Sequence, residues 1–278
     1  MLAITCNYSH RSQAVYYTHT RDSKTGLKLF YKDIETLTEK GAPYENLRVL
    51  VHLDHIQFDR DKDLLESDLS KYSSIMFDAS SLPFEENIKL TAEFVEKKSG
   101  EIVIEGACDE ILDATGNEHN DITTAENAQR YIAETGVYMI VANLGTEHRA
   151  SGKELKYHSD AACKIKEKIG TKIVLHGTSS VPNDQIKNLF YDGICKVNIW
   201  TALERDTSPV LFEDMVKNAS KVAGGEMIAK LIQEGYLTEK CATGEKLSID
   251  NFTMAYRNGI VFSEMKKIVR AYLDMWYV

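Results

Sequence analysis

The chain has 278 residues, 43% hydrophobic and 27% charged, ordinary values that exclude a collagen, a coiled-coil rod or a mainly disordered polymer. Asp and Glu outnumber Lys and Arg, 42 to 33, for a formal charge of −9, which argues against bulk binding to nucleic acid or to an anionic membrane. No run of 18 apolar residues occurs, so no membrane-spanning helix is expected. Cys6, Cys108, Cys163, Cys195 and Cys241 are scattered with no CxxC. That pattern fits reduced thiols in a cytoplasmic protein, and the start MLAITCNYSHRSQ lacks the basic region of a secretory signal.

In chain order, seven β-rich runs are predicted: Leu2–Cys6, Arg48–Leu53, Ser74–Phe77, Glu101–Ile104, Val137–Ala142, Lys172–Leu175 and Ile194–Ile199. Amphipathic stretches alternate with them. Residues 84–100 follow Pro83, open with Glu85 and Glu86, and end on Gly100; residues 123–136 offer Thr123 or Thr124 as cap and Gly136 as stop; residues 158–170 offer Ser159 and Gly170 in the same roles. Alternation of this kind argues for βαβ units around a parallel sheet, and runs that are apolar on both faces suit buried parallel strands. The expected fold is an α/β, TIM-type (β/α)8 barrel over residues 1–205 that lacks its first βα unit, because seven strands are one short of closure. Residues 206–278 read as a C-terminal helical extension packed on the barrel, two helical stretches joined by the polar segment Thr238–Asp250.

Three of the strand runs end on histidines, His55, His148 and His176. In a parallel barrel all strand C-termini share one face, where active sites form. Three imidazoles with an open fourth position suit catalytic zinc, and cobalt, nickel or iron on the same softness argument; alternatively each is a hydrogen-bonded core residue. Asp54 beside His55 is either an orienting carboxylate or a general acid/base. His52, two residues earlier, reads as a packed barrel residue, and Asp78 as a candidate acid near the metal. Gly177, Thr178 and Ser179, running into a helix, form a candidate anion cradle with Thr201 at the end of KVNIWT.

At these residues the sequence resembles the zinc-dependent class II ketose-bisphosphate aldolases, the fructose- and tagatose-bisphosphate aldolase family. VLVHLDH, IMFDASSLPFEENIKLT, LGTEH, and LHGTSSVPNDQI with KVNIWT carry the resemblance in order, over about residues 45–205. It implies one zinc ion per chain on His55, His148 and His176, Asp54 as proton donor, and a zinc-stabilised enediolate. It also implies a phosphorylated ketose or aldehyde held by Gly177, Thr178, Ser179, Asn198, Ile199, Trp200 and Thr201. The same reading expects a homo-oligomer with no nucleic-acid or membrane partner. Departures are Ser81 for a histidine, Ala107 for the second glutamate of IEGACDE, Ser180 for a glycine, and Arg149 for the glycine after the histidine of LGTEH. A catalytically silent sugar-phosphate-binding or partner subunit is one alternative; another metal-dependent lyase or hydrolase on the same triad is the second.

Arg149 is a substrate-side candidate, since a guanidinium adds fixed charge and bulk where the resembled family has none. Fructose 1,6-bisphosphate is therefore expected to be a poor substrate. Wild-type kcat/KM on fructose and tagatose bisphosphates should lie below about 10⁴ M⁻¹s⁻¹ and rise in Arg149→Gly; efficient turnover that ignores the substitution would defeat the assignment.

Overall fold

The structure is a computed structural model that describes residues 1–9, 11–110, 122–148 and 156–277. Seven strands form one sheet: β1 (Leu2–Thr5), β2 (Val51–Gln57), β3 (Ser74–Asp78), β4 (Val103–Ala107), β5 (Met139–Val141), β6 (Ile173–Leu175) and β7 (Ile194–Val197). They are hydrogen-bonded in chain order and every adjacent pair is parallel. All seven predicted runs are therefore strands. The closed eight-stranded barrel is not seen: among the described residues β1 and β7 are the sheet's edges, and the sheet is a curled half-barrel. The curl is visible in side chains, because Lys196 on β7 reaches Glu105 on β4 at 2.7 Å and His52 on β2 at 2.9 Å.

Helices cover the convex side and the ends. They are α1 (Gln13–Tyr16), α2 (Ser23–Thr38), α3 (Lys62–Glu66), α4 (Phe84–Lys98), α5 (Ala125–Thr135), α6 (Ser159–Ile169), α7 (Asn183–Ile186), α8 (Thr201–Lys217), α9 (Ala219–Ala223), α10 (Gly225–Gln233), α11 (Ile249–Phe252) and α12 (Met254–Trp276). Thr124 caps α5 by accepting the Asn127 N–H, and Gly136 ends it in the left-handed region at φ 75°. Ser159, expected as a cap, is instead the first residue of α6, after His158. The sequence reading singled out no helix at α2, although Asp22 caps it through the Thr25 N–H at 2.8 Å. Residues 206 onward lie within or beyond α8, which packs against α12. Trp276 on α12 donates to the Ile186 carbonyl of α7 at 3.1 Å and stacks on Tyr272, so the C-terminal helix returns to the half-barrel. No helix among the described residues is long and apolar enough to cross a membrane.

Strand alternation divides the sheet's two faces. Leu53, Ile75, Phe77, Ile104, Ile140, Ile173, Leu175 and Ile194 belong to the large core shared with the helices. Fully burying one such side chain contributes about 1.5–3 kcal/mol. The residues between them, His52, Asp54, Ser74, Met76, Asp78, Glu105, Ala107, Val141, Val174 and His176, face the concave side, joined by Lys196 and Asn198 beyond a shift in the register of β7 with β6. That side holds both a small apolar cluster, Met76, Ala107, Met139, Val141 and Val174, and the polar residues of the site.

Candidate metal centre

Alternation along β2 would place His55 on the convex face with Leu53. The backbone prevents this. His55 has φ 49°, in the left-handed region that a non-glycine residue rarely adopts, and the register with β3 shifts between Leu53 and Ile56. A strand irregularity of this kind re-aims a side chain, so Asp54 and His55 both serve the concave side. The expected strand end at His55 is thus corrected: β2 continues to Gln57 through a kink.

The kink brings the histidines together. Donor atoms of His55, His148 and His176 lie within 4.8 Å of one another, and all three residues are buried. His55 Nε2 lies 2.9 Å from His176 Nδ1. On its other side, His55 Nδ1 lies 2.8 Å from Asp78 Oδ2. Burial opposes ionisation of Asp78, yet the hydrogen bond from His55 and the contacts from Ser80 bring its pKa down to about 2. An ionised carboxylate only accepts, so the His55 proton sits on Nδ1 and the Nε2 lone pair faces the cluster. His148 Nε2 is buried with no hydrogen-bond partner, a state that costs about 1–3 kcal/mol if left unmet. Convergent imidazole lone pairs, one orphaned and one fixed by a carboxylate, fit a divalent transition metal. Tyr8 stacks on the His55 ring at 4.0 Å and closes the cluster from the N-terminal side.

Beside the triad, Asp54 is held by two residues. Arg11 Nη2 donates to its Oδ2 at 2.5 Å, and Asn198 Nδ2 donates to its Oδ1 at 2.9 Å. Burial disfavours the charge, but Arg11, His55 and a hydrogen bond from His52 together keep the carboxyl well below the usual range. His52 is a packed polar residue, bonded to Ser74 at 2.8 Å and to Lys196. Glu105, also buried, has its pKa brought down to about 2 by Lys196 and His176 against the cost of burial.

Gly177 follows β6 with φ 65°, and an added Cβ would lie 2.6 Å from the Glu147 carbonyl oxygen. Only glycine allows both the turn and the close approach. The turn Thr178–Ser180 follows. With His148, His176, Asn198, Trp200, Thr201 and Arg11, the segment Gly177–Ser179 lines a small cleft with about 10 Å³ of free volume. Ile199, a candidate on the same run, packs against the hydrophobic core instead, and Arg149 lies outside the described residues. Sequence reasoning did not single out Tyr8, Arg11, Glu105 or Lys196. Lys196 and Glu105 stand inside the segments KVNIWT and IEGACDE, whereas the segment around Arg11 carries no motif.

The sequence profile of class-II fructose-bisphosphate aldolase matches residues 9–270. The chain belongs to the class II fructose-bisphosphate aldolase family. It is 30% identical over 179 residues to the D-tagatose-1,6-bisphosphate aldolase subunit GatY of Klebsiella oxytoca, covering 62% of this chain and 61% of that protein. It is 36% identical over 163 residues to the fructose-bisphosphate aldolase of Streptococcus pneumoniae TIGR4, covering 55% of this chain and 53% of that one. The chain thus spans only between about half and three fifths of the length of these relatives. The fructose-bisphosphate aldolase of Campylobacter jejuni shares the fold, with a TM-score of 0.68 at 18% identity over 94% of this chain and 79% of that one. The aldolase YdjI of Escherichia coli K12 gives 0.60 at 19% identity, over 90% and 75% of the two chains. The family is metal-dependent and binds phosphorylated sugars, and here a buried histidine triad lies beside a small-residue turn.

Burial, aided by His55, lowers the His148 pKa well below its ordinary value, and burial brings His176 down to about 4 despite its hydrogen bond to Glu105. An unfolded histidine titrates near 6.5. Between those values the unfolded chain binds protons that the folded chain does not, so stability falls as pH drops from about 6.5 towards 4. Asp78 and Glu105, each near 2 when folded, continue the loss in the same direction below the ordinary carboxylate range. Urea midpoints of the metal-free chain at pH 7.5, 5.5 and 4.5 should decline in that order; a midpoint that rose on acidification would contradict buried, neutral His148 and His176.

Proposed function

We propose that the chain is a metal-dependent aldolase, a carbon–carbon lyase that cleaves or forms a phosphorylated ketose. The observation that carries this reading is the orphaned His148 Nε2, buried in reach of the His55 and His176 donor atoms beside an ionised Asp54. His55, His148 and His176 would hold the metal, with zinc the best match to three imidazoles. When bound, the metal supplies Lewis acidity that draws negative charge onto the ketone oxygen.

The remaining chemistry belongs to the chain. Asp54 is poised as a base for cleavage: it takes the proton of the hydroxyl whose carbon becomes the aldehyde, while the electrons of the breaking carbon–carbon bond pass to the ketone half. In condensation Asp54 returns that proton to the new hydroxyl. Asn198, bonded to Asp54 Oδ1 at 2.9 Å and 3.1 Å from His176 Nε2, ties the base to the triad. Backbone groups of Gly177–Ser179 and Asn198–Thr201 would fix the phosphate, so that binding energy far from the reacting carbons positions them. The same proposal assigns residues 1–205 to the half-barrel and 206–278 to a packed extension, and places the chain in the cytoplasm as a homo-oligomer.

Asp54→Asn keeps the shape and removes the proton acceptor. It should lose about 10²- to 10⁴-fold in kcat with unchanged metal content, whereas His148→Ala should lose the metal itself. Metal analysis and product analysis on a panel of phosphorylated ketoses check both. Aldehyde plus ketol phosphate is the expected product pair; release of inorganic phosphate alone would favour a hydrolase on the same triad, and no turnover of any ketose by the metal-loaded chain would favour a silent binding subunit.

A further inference from the structure

The phosphate cradle described above consists of backbone groups and hydroxyls, none of which carries charge. Among the described residues that line the cleft, Arg11 alone has a permanent positive charge. It comes from the loop after β1, on the far side of the open sheet from the cradle. Its side chain is only 8% exposed. The guanidinium lies 5.6 Å from the Tyr8 ring centroid and 5.4 Å from that of Trp200, so two aromatic faces hold it in place. One of its five donors, on Nη2, goes to Asp54. The Nε–H is buried with no partner, and so is the Ser179 hydroxyl on the cradle itself. Two unmet polar groups from opposite walls of one cleft, one of them cationic, describe a receptor for an anion.

Resting on the aldolase reading, we propose that Arg11 is a substrate-binding residue that supplies the positive charge of the phosphate site, taking an oxygen of the phosphate monoester through Nε–H while Ser179 and the Gly177–Ser179 backbone take the others. Because Nη2 of the same guanidinium is bonded to Asp54, phosphate and base are registered on one rigid fork, and a lysine would not reproduce that register.

The test uses inorganic phosphate and the full chain treated with chelator, so that no metal can hold the anion. Titration calorimetry should show phosphate bound by wild type, weakened about 10- to 100-fold in Arg11→Gln, as expected for loss of one charge-assisted pair, and partly restored in Arg11→Lys. Since Arg11→Gln strands the Asp54 charge, the same substitution is repeated in Asp54→Asn, where no buried carboxylate is left unpaired; the fold-loss relative to Asp54→Asn alone should be similar. Phosphate affinity unchanged by Arg11→Gln in both backgrounds, but lowered by Ser179→Ala, would overturn the role of Arg11 and leave the cradle reading intact. Failure of wild type to bind phosphate would overturn the cradle and the inference together.

Discussion

The backbone kink at His55 governs what the concave face can do. Parallel strands send alternate side chains to opposite faces, and most polar residues of the site obey that rule: His52 and Asp54, Ser74 and Asp78, Glu105 and His176. β7 breaks it between Ile194 and Lys196, where its register with β6 shifts, and His55 breaks it at the cost of a left-handed backbone at a non-glycine position. Such strain costs of order 1–3 kcal/mol and persists only where surroundings over-determine it. Here they do. The Asp78 hydrogen bond, the His176 contact and the Tyr8 stack all act on the one imidazole. Without the kink, β2 could offer a base or a ligand from adjacent positions, but not both.

Charge on the concave face is arranged so that three buried carboxylates each meet a partner among the described residues. Asp78 meets His55, Glu105 meets Lys196, and Asp54 meets Arg11. Each pairing joins elements distant in sequence: β3 to β2, β7 to β4, and the loop after β1 to β2. The open sheet therefore gains cross-links from its polar interior that a closed ladder of backbone hydrogen bonds would otherwise provide. Buried pairs of this kind contribute little net stability against apolar replacements, yet removing one partner is expensive. They hold the two edges of the sheet in register with the triad, which is a positional role more than an energetic one.

The fold was legible because its signals are local and repeated. All seven strand runs and the helices α4, α5 and α6 announce themselves through apolar runs, caps and terminal glycines. The triad was legible because histidines stand near the C-terminal ends of three predicted strand runs and a parallel sheet sends those ends to one side, although His55 lies within β2 and His148 beyond the end of β5. What escaped the sequence is what depends on tertiary approach. The kink does leave a mark on VHLDHIQ, where Asp54 and His55 are two successive polar residues and the alternation changes phase, but that break was not read as one. Arg11 sits 43 residues before Asp54 in a loop without a motif, and the pairing of β1 with β2, which sets Thr5 beside Asp54, brings them together. Glu105 and Lys196 were visible within quoted segments, but their roles depend on a contact spanning 91 residues. Ile199 shows the converse error: it belongs to a run that lines the cleft, yet its side chain alternates away into the core.

Ala107 shows how one departure from the family pattern is absorbed. It lies on the concave face of β4, two residues beyond Glu105, with Val141 beside it in the register of β5. Its neighbours are Met76, Met139, Val141 and Val174, a dry cluster on the floor of the half-barrel. A glutamate at this position would need a cation or several donors among those side chains, and an unpaired buried carboxylate is costly. The half-buried Lys196 on that face is already committed to Glu105 and His52. The alanine and the apolar floor therefore belong together, and restoring the carboxylate alone would not restore a function. The layers of the concave face follow from this: an apolar floor, a band of paired charges through His52, Glu105 and Lys196, and above them the triad with Asp54 and Arg11 at the mouth. On the aldolase reading proposed above, proton transfer falls to Asp54: among the described carboxylates of that upper layer, Asp54 meets Arg11 and Asn198, whereas Asp78 meets His55.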